Sequence, residues 1–201
     1  MPRYLWDIEQ QTPEWYSAKL GRFSGSDFHI FLGNSQSKDD KLWEKLSERK
    51  WFDSDNEEFY SQYTERGKVL EHEARRLYSA INDCEVKQVG LVEEDGEFDT
   101  WAVCSPDGLV GEDGIIEIKC PVAKYFTQYT TEGSNKYAYI KPEYKTQVQF
   151  NLLVTGRKWC DFIYYHPRGG LWIKRIESDQ EYQEKIKNAL RECISFIEKK
   201  I

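Results

Sequence analysis

Asp107, Glu117 and Lys119 are the side chains whose types and spacing promise chemistry. The first lies in Ser105-Pro106-Asp107-Gly108 and the others in Glu117-Ile118-Lys119, inside an apolar run. Successive strand residues face opposite sides, so Glu117 and Lys119 share one face while Ile116, Ile118 and Cys120 share the other. Gly111-Glu112-Asp113-Gly114 has the composition of a tight turn. A hairpin is therefore expected, entered through Thr100 to Cys104 and Leu109-Val110 and left through Ile115 to Cys120. Folding back brings Asp107 alongside Glu117, which puts two carboxylates and an ammonium on one sheet edge. Hard divalent cations such as Mg²⁺ take oxygen ligands, and two converging carboxylates plus a backbone carbonyl suit them. An ion held there lowers the pKa of a bound water and stabilises charge on a phosphate, with the lysine close enough to orient that water. Taken alone, the same residues also describe a solvated surface hairpin with an Asp-Gly turn.

The hairpin resembles the PD-(D/E)xK nuclease motif, and further segments are similar, in the same order, to the lambda-exonuclease (YqaJ-type viral recombinase) family. They are Trp15-Tyr16-Ser17-Ala18-Lys19-Leu20-Gly21 with Ser24-Gly25-Ser26, then Gly67-Lys68-Val69-Leu70-Glu71-His72-Glu73-Ala74-Arg75. Ser105-Pro106-Asp107-Gly108-Leu109 through Glu117-Ile118-Lys119-Cys120-Pro121 follows, and then Tyr144-Lys145-Thr146-Gln147-Val148-Gln149. The last runs on into Val154-Thr155-Gly156-Arg157 and Trp159-Cys160-Asp161-Phe162, so the matching segments span about residues 11 to 166.

The resemblance implies an α+β (α/β-like) fold with a PD-(D/E)xK restriction-endonuclease-like core, a central mixed sheet flanked by helices. It implies a Mg²⁺-dependent, ATP-independent exonuclease, with Mn²⁺ substituting and two ions per site. Such an enzyme digests linear double-stranded DNA from 5′ ends to 5′-mononucleotides, for phage-type recombination beside a single-strand annealing protein. A ring-like homotrimer and a cytoplasmic location, in a bacterial host, belong to the same expectation. In roles carried over by the motifs, Asp107, Glu117 and the backbone carbonyl of Ile118 bind metal, with Glu71 supporting the site directly or through water. Lys119 positions and activates the water, and Gln147 binds it or a phosphate oxygen. Lys19, Ser26 and Ser105 match positions that hold the terminal 5′-phosphate. Lys19 stands where the family more often has Arg, exchanging a bidentate fork for a point charge, and Arg22 is near enough to substitute. Trp15 and Tyr144 are placed to meet DNA, although Trp15 could equally anchor its helix in the core. Two other readings share these residues: a structure- or sequence-specific endonuclease on the same core, and a non-catalytic DNA-binding scaffold.

Helical geometry adds detail. Glu71 and Arg75 form an ordinary i,i+4 pair on the helix before the hairpin, and Glu73 points elsewhere. Tyr144, Gln147 and Asn151 lie on one face, whereas Gln149 is turned about 200° from Gln147, so only Gln147 can face the metal. Val148, Leu152 and Val154 bury the neighbouring stripe. Amides at a helix start after Ser24-Gly25-Ser26-Asp27 would favour a phosphate.

The chain bounds these readings. Its 201 residues are expected to form a single nuclease domain, 1–201, with a substantial core. A net charge of −7 argues against a protein that coats DNA through a basic surface, but not against one locally basic groove. No apolar run suits a membrane span or a signal peptide. Five scattered cysteines form no CxxC pair, which favours buried reduced thiols over disulfides, zinc or an iron–sulfur cluster. His29, His72 and His166 lack metal-ligand spacing.

The positioning elements follow from caps and periodicity. Thr12-Pro13 starts a helix that Gly21 stops; Ser26 caps a short one through Leu32, ended by Gly33. Polar residues Asn34 to Asp40 lead to a helix around Leu42 to Lys50, then an acidic stretch, Asp53 to Glu58. A helix from about Glu65 to Ala80 carries Val69, Leu70, Ala74, Leu77 and Tyr78 on its apolar face. Glu85 to Val92 reads as strand, Tyr129 to Lys141 as a mobile lysine-bearing loop, and Pro142 to Gly156 as helix. Trp159 to Tyr165 and Leu171 to Ile176 are strands joined at Arg168-Gly169-Gly170, and Ser178 with Glu181 forms a capping box for the final helix.

Overall fold

The computed structural model describes residues 1–33, 35–51, 62–131 and 140–201. It is a mixed α+β structure with two sheets and six α-helices among the described residues. The strands are β1 (Arg3–Leu5), β2 (Phe23–Ser24), β3 (Val86–Lys87), β4 (Leu91–Glu93), β5 (Ala102–Cys104), β6 (Gly108–Val110), β7 (Gly114–Lys119), β8 (Trp159–His166) and β9 (Gly170–Glu177). The helices are α1 (Pro13–Lys19), α2 (Gln36–Trp51), α3 (Gln62–Asn82), α4 (Ala123–Thr130), α5 (Pro142–Thr155) and α6 (Gln180–Glu198). The acidic stretch Asp53 to Glu58, Asn34, and Lys136 with the middle of the expected loop lie outside the described residues.

The larger sheet has the order β3-β6-β7-β8-β9, antiparallel except where β7 pairs with β8 in parallel. A parallel neighbour requires a crossover, and α4 and α5 supply it. One central sheet was expected; a second, β1-β4-β5-β2, stands beside it. This corrects two expectations. Thr100 to Cys104 does not lead into the hairpin, because β5 pairs with β2 and β4 in the smaller sheet. Glu85 to Val92 is two short strands in different sheets, parted at Gly90, where an added Cβ would fall 1.7 Å from the Ile8 carbonyl oxygen.

Local signals set the helix ends. The Thr12 hydroxyl accepts from the Trp15 amide (3.3 Å), Pro13 occupies the first position of α1, and Gly21 leaves with φ +66°. Pro142 opens α5, and Gly156 closes it in the left-handed region at φ +65°. Ser26 caps nothing: the segment Phe28–Leu32 is a 3-10 helix preceded by Asp27, with no side-chain cap. The anion site expected from its amides therefore loses its basis, since one short 3-10 turn aligns too few of them. Likewise Asp179, not Ser178, caps α6, accepting from the Tyr182 amide at 3.0 Å, while Ser178 Oγ accepts from Gln183. Tyr129, expected in a loop, ends a helix, α4, that the polar sequence did not announce.

Helix α3 lies on the large sheet through Leu70, Ala74 and Tyr78, packed with Ile116, Ile118, Ile163 and Tyr165. The four-residue spacing of these three is a narrow stripe. Val69 and Leu77 sit about 100° off it and are exposed, contrary to expectation. A buried polar tie reinforces the contact: the Tyr78 hydroxyl donates to Asp161 Oδ2 (2.6 Å), and Arg175 donates twice to the same carboxylate at 2.8 Å. Tyr78 is two turns from Glu71 on α3, so this tie also fixes where Glu71 points. On the other side, α5, α6 and the 3-10 helix close a core that includes Phe23, Phe28, Phe31 and Phe150. Each such side chain contributes roughly 1.5–3 kcal/mol by leaving water. No helix among the described residues is long and apolar enough to cross a membrane.

Candidate active site

The hairpin β6–β7 brings Asp107 and Glu117 together by backbone pairing. The Asp107 amide donates to the Ile116 carbonyl (3.1 Å), and Asp107 Oδ2 accepts from the Ile118 amide (2.6 Å). Asp107 is thereby held across from Glu117. Gly108 makes the approach possible: a Cβ there would meet Val86 Cγ1 at 2.3 Å, so only glycine passes between β3 and β7.

Glu117 is 1 % exposed. Its Oε1 accepts from Lys119 Nζ (2.6 Å) and from Gln147 Nε2 (2.7 Å), and its Oε2 from Asn151 Nδ2 (3.2 Å). The one-face geometry of α5 thus delivers two amides to one carboxylate. Gln149 is turned away, donating to the Glu177 carbonyl and accepting from the Asp179 amide. Periodicity places Asn151 on the same face as Gln147, and the structure gives it a partner there in Glu117. Its spacing of one turn from Gln147 was the signal. Glu71 approaches from α3. Arg75 donates to Glu71 Oε1 (2.5 Å) and to the Asp107 carbonyl (2.7 Å), so this i,i+4 pair also spans from helix to hairpin. Glu73 indeed points elsewhere, accepting from the Tyr165 hydroxyl at 3.1 Å.

Burial and mutual repulsion govern the charges here. Burial, with the repulsion of Asp107 and Glu71 against the pull of Lys119, pushes Glu117 up to about 8. Burial and Asp107 push Glu71 up to about 7 despite Arg75. Asp107 is raised by burial, with Lys119, the Ile118 amide and Arg75 opposing. Burial works against the Lys119 ammonium, but Glu117 and Asp107 overcome it and hold its pKa above the ordinary lysine value. Three desolvated carboxylates with one lysine and one arginine are a negative excess that a divalent cation would relieve, and their oxygens are hard donors. Among the described residues no three His, Cys, Asp or Glu side chains are already arranged as a cage. The Lys119 ammonium sits on Glu117, and Glu71 is turned to Arg75. The donor set fits an ion that would draw these groups inward.

The remaining candidate residues form a second group. Trp15 Nε1 donates to the Gly90 carbonyl (3.0 Å) and to Ser105 Oγ (2.8 Å), and Ser105 Oγ donates to the same carbonyl (2.9 Å). The indole is anchored, and the Lys19 ammonium lies 3.9 Å from its ring centroid. Burial, partly offset by Asp27, pulls Lys19 down to about 8. Ser26 is exposed, its hydroxyl 3.1 Å from that of Ser24. Arg22 is committed elsewhere, donating to buried Glu93 at 2.5 Å. Tyr144 stacks on Phe162 with its centroid 5.1 Å from Lys119 Nζ. The two groups touch at Gly25, where a Cβ would stand 2.7 Å from Asn151 Oδ1 and 2.9 Å from the Gln147 carbonyl oxygen. The serine segment is therefore seated directly on the Gln147–Asn151 face of α5. Of the five cysteines, Cys104, Cys160 and Cys193 are buried, Cys84 and Cys120 half-buried, and all are free thiols.

Residues 14–158 match the family described as the YqaJ-like viral recombinase domain. No curated protein matches the chain. Among solved structures, LHK-Exo in complex with dAMP superposes with a TM-score of 0.81 at 30% identity, over 93% of each chain. The alkaline exonuclease LHK-Exo from Laribacter hongkongensis gives 0.75 at 31% identity, covering 93% of this chain and 95% of that one. A phage-related exonuclease from Haemophilus somnus 129PT shares the fold, with a TM-score of 0.67 at 15% identity over 89% and 94%.

Proposed function

Since the chain belongs to the YqaJ-like viral recombinase family, we propose that the Asp107–Glu117–Lys119 centre is the active site of an exonuclease that digests linear double-stranded DNA from 5′ ends. The observation that carries this reading is the convergence on one buried carboxylate, Glu117, of Lys119, Gln147 and Asn151, with Asp107 held opposite by the hairpin. Carboxyls whose pKa is raised by burial and by one another cluster at functional sites, and Glu117, Glu71 and Asp107 form such a cluster here. The likeness to alkaline exonucleases at 30% and 31% identity points the same way.

Asp107, Glu117, the Ile118 carbonyl and, directly or through water, Glu71 would hold Mg²⁺ or Mn²⁺, two ions per site. The metal supplies Lewis acidity towards the phosphate and an activated water. The chain's own residues do the rest. Gln147 and Asn151 keep Glu117 pointed at the hairpin edge. Lys119, which donates to Glu117 Oε1 at 2.6 Å, would align the attacking water and offset charge on the phosphate. Water attacks phosphorus in line, the bond to the 3′ oxygen breaks, that oxygen leaves with a proton, and a 5′-mononucleotide departs. Lys19, Ser26 and Ser105 hold the terminal 5′-phosphate, with Trp15 as the platform under Lys19; Tyr144 lines the approach of the DNA. Arg22 serves only if it leaves Glu93. The 201 residues act as one nuclease domain, as a homotrimeric ring in the host cytoplasm, feeding a single-strand annealing protein in phage-type recombination.

Digestion of linear duplex, with and without a 5′-phosphate, in Mg²⁺ against EDTA tests the reading. Metal-dependent release of 5′-mononucleotides from ends, with covalently closed circles left intact, is the expected result. Cutting of closed circles would replace it by an endonuclease, and no hydrolysis under any divalent ion would overturn it.

A further inference from the structure

Two strands of the smaller sheet lead to the two hydroxyls assigned to the 5′-phosphate. β2 runs on into Ser26, and β5 into Ser105. They pair in parallel through Phe23 with Ala102 and Ser24 with Val103. So short a ladder fixes its own register weakly, and a slip of one residue would turn every side chain to the opposite face. Helix α2 holds that register from outside. Gly21 and Thr100 each stand two residues ahead of the first pair, and both sit at positive φ, +66° and +67°. Thr100 is β-branched, and such a residue keeps that conformation only where its surroundings impose it. Arg49 Nη1 donates to both carbonyls, that of Gly21 at 3.3 Å and that of Thr100 at 3.2 Å. The guanidinium carbon lies 3.5 Å from the Trp101 ring centroid, and the Trp101 carbonyl accepts from the Phe23 amide at 2.7 Å. One cation from α2 thus pins the entrances of both strands at matching positions.

Glu48, buried on the same helix, completes the grip. Its Oε2 accepts from the Gly21 amide (2.9 Å) and from Lys45 Nζ (2.8 Å). Both backbone groups of Gly21 are therefore spent on α2, and the packing leaves no space for a side chain. A Cβ on Gly21 would fall 3.0 Å from Arg49 Cβ and 3.1 Å from its Cα. Lys19 lies just ahead of this turn, its carbonyl accepting from the Arg22 amide at 3.1 Å. Lys19, Ser26 and Ser105 thus reach the site along separate stretches of chain, and α2 holds the turns that relate them. Three donors serve one phosphate only when they converge, because a hydrogen bond weakens steeply out of line. We propose that Arg49, with Glu48 beside it, is a positioning residue for recognition of the 5′-phosphate, setting β2 against β5 and hence Lys19, Ser26 and Ser105 against one another. The proposal rests on the reading of those three residues as the phosphate site.

The test uses two hairpin duplexes that differ only in carrying a 5′-phosphate or a 5′-hydroxyl at their single blunt end. Each competes with a labelled duplex in EDTA, followed by fluorescence anisotropy, so the ratio of the two affinities is read without hydrolysis. The parent chain should favour the phosphate roughly tenfold. Arg49→Met keeps the stem against Gly21 and Trp101 but removes both hydrogen bonds. The preference should then shrink about threefold, as half of the contact's free energy is lost when its donors leave line. Glu48→Ala would leave the Lys45 ammonium buried without its partner, so the companion is the double variant Lys45→Met with Glu48→Leu, which frees the Gly21 amide and isolates no charge. It should shrink the preference in the same way. Trp43→Ala loosens α2 elsewhere, at its edge contact with Phe196 (5.6 Å between centroids), and should lower Tm with the ratio unmoved. A merely structural part for Arg49 weakens binding to both ends alike. A parental ratio in both Arg49→Met and the double variant would therefore overturn the proposal, as would an equal fall of the ratio in Trp43→Ala. A parent chain that does not distinguish the two ends dismisses the phosphate site and this proposal with it; a parent that does, with variants that match it, dismisses this proposal alone.

Discussion

Gly25→Ala is a one-methyl perturbation whose consequence can be worked through from the contact of the serine segment with α5. The added carbon would lie 2.9 Å from the Gln147 carbonyl oxygen and 3.3 Å from its Cα, both backbone, besides 2.7 Å from Asn151 Oδ1. The asparagine side chain can swing, but doing so takes its amide from Glu117. The Gln147 backbone must retreat by about half an ångström to regain ordinary van der Waals contact, carrying its amide with it. Overpacking of this kind costs about 1–3 kcal/mol. For a chain of this size that lowers Tm by roughly 2–12 °C. A misplacement of about 1 Å near reacting atoms can cost ~100-fold, so half that displacement predicts about a tenfold fall in kcat. Thermal melts and steady-state digestion of 5′-phosphorylated linear duplex measure the two effects. Gly67→Ala is the control: it lies in α3 with nothing within 4 Å of the added carbon, and should stabilise by about 0.5–1 kcal/mol through helix propensity. Wild-type Tm and kcat in Gly25→Ala would refute the tight seating of this segment on the Gln147–Asn151 face of α5 and the proposed catalytic part of that face.

Asp107→Asn, Glu117→Gln and Lys119→Met are each expected to abolish hydrolysis with far-UV circular dichroism unchanged; near-parental digestion by any one would remove its catalytic role. Asn151→Ala strips a hydrogen bond from a buried carboxylate and should cost about 1.5–3 kcal/mol in a denaturant melt run in EDTA, with weaker Mg²⁺ binding by calorimetry. Digestion should favour 5′-phosphorylated over 5′-hydroxyl ends roughly tenfold, from the same charge-assisted energy. Lys19 is held at about 8, below the ordinary 10.5, chiefly by burial, so its ammonium is present below that pH and must be bought with a proton above it. The preference should therefore be flat below about pH 8 and decline above, whereas Lys19→Arg, charged throughout, should keep it. Light scattering should report a trimer, and a monomer with and without DNA would dismiss the ring.

What the sequence determined by itself was whatever depends on covalent geometry and near neighbours. The period of two put Glu117 and Lys119 on one face, and they meet at 2.6 Å. The 3.6-residue period separated Gln147 from Gln149, and the structure sends one to Glu117 and the other to the far end of β9. Thr12-Pro13 and Pro142 with Gly156 set helix ends because caps and left-handed exits are satisfied within a few residues. Only the tertiary structure could choose between equivalent local signals or add partners from afar. Ser178 and Asp179 are both competent caps, and Asp179 wins while Ser178 serves Gln183. Val69 and Leu77 are as apolar as Leu70 and Tyr78, yet the sheet covers only one stripe of α3. The residues from Glu85 to Val92 have one composition but divide between two sheets, a choice made by which edge each meets. The candidate site divides in the same way. Its hairpin is local, but the amide of Asn151, the guanidinium that joins Glu71 to the Asp107 carbonyl and the seat of Gly25 on α5 are contacts between distant segments. Burial creates the need for those partners, and burial is a property of the folded chain, not of any stretch of it.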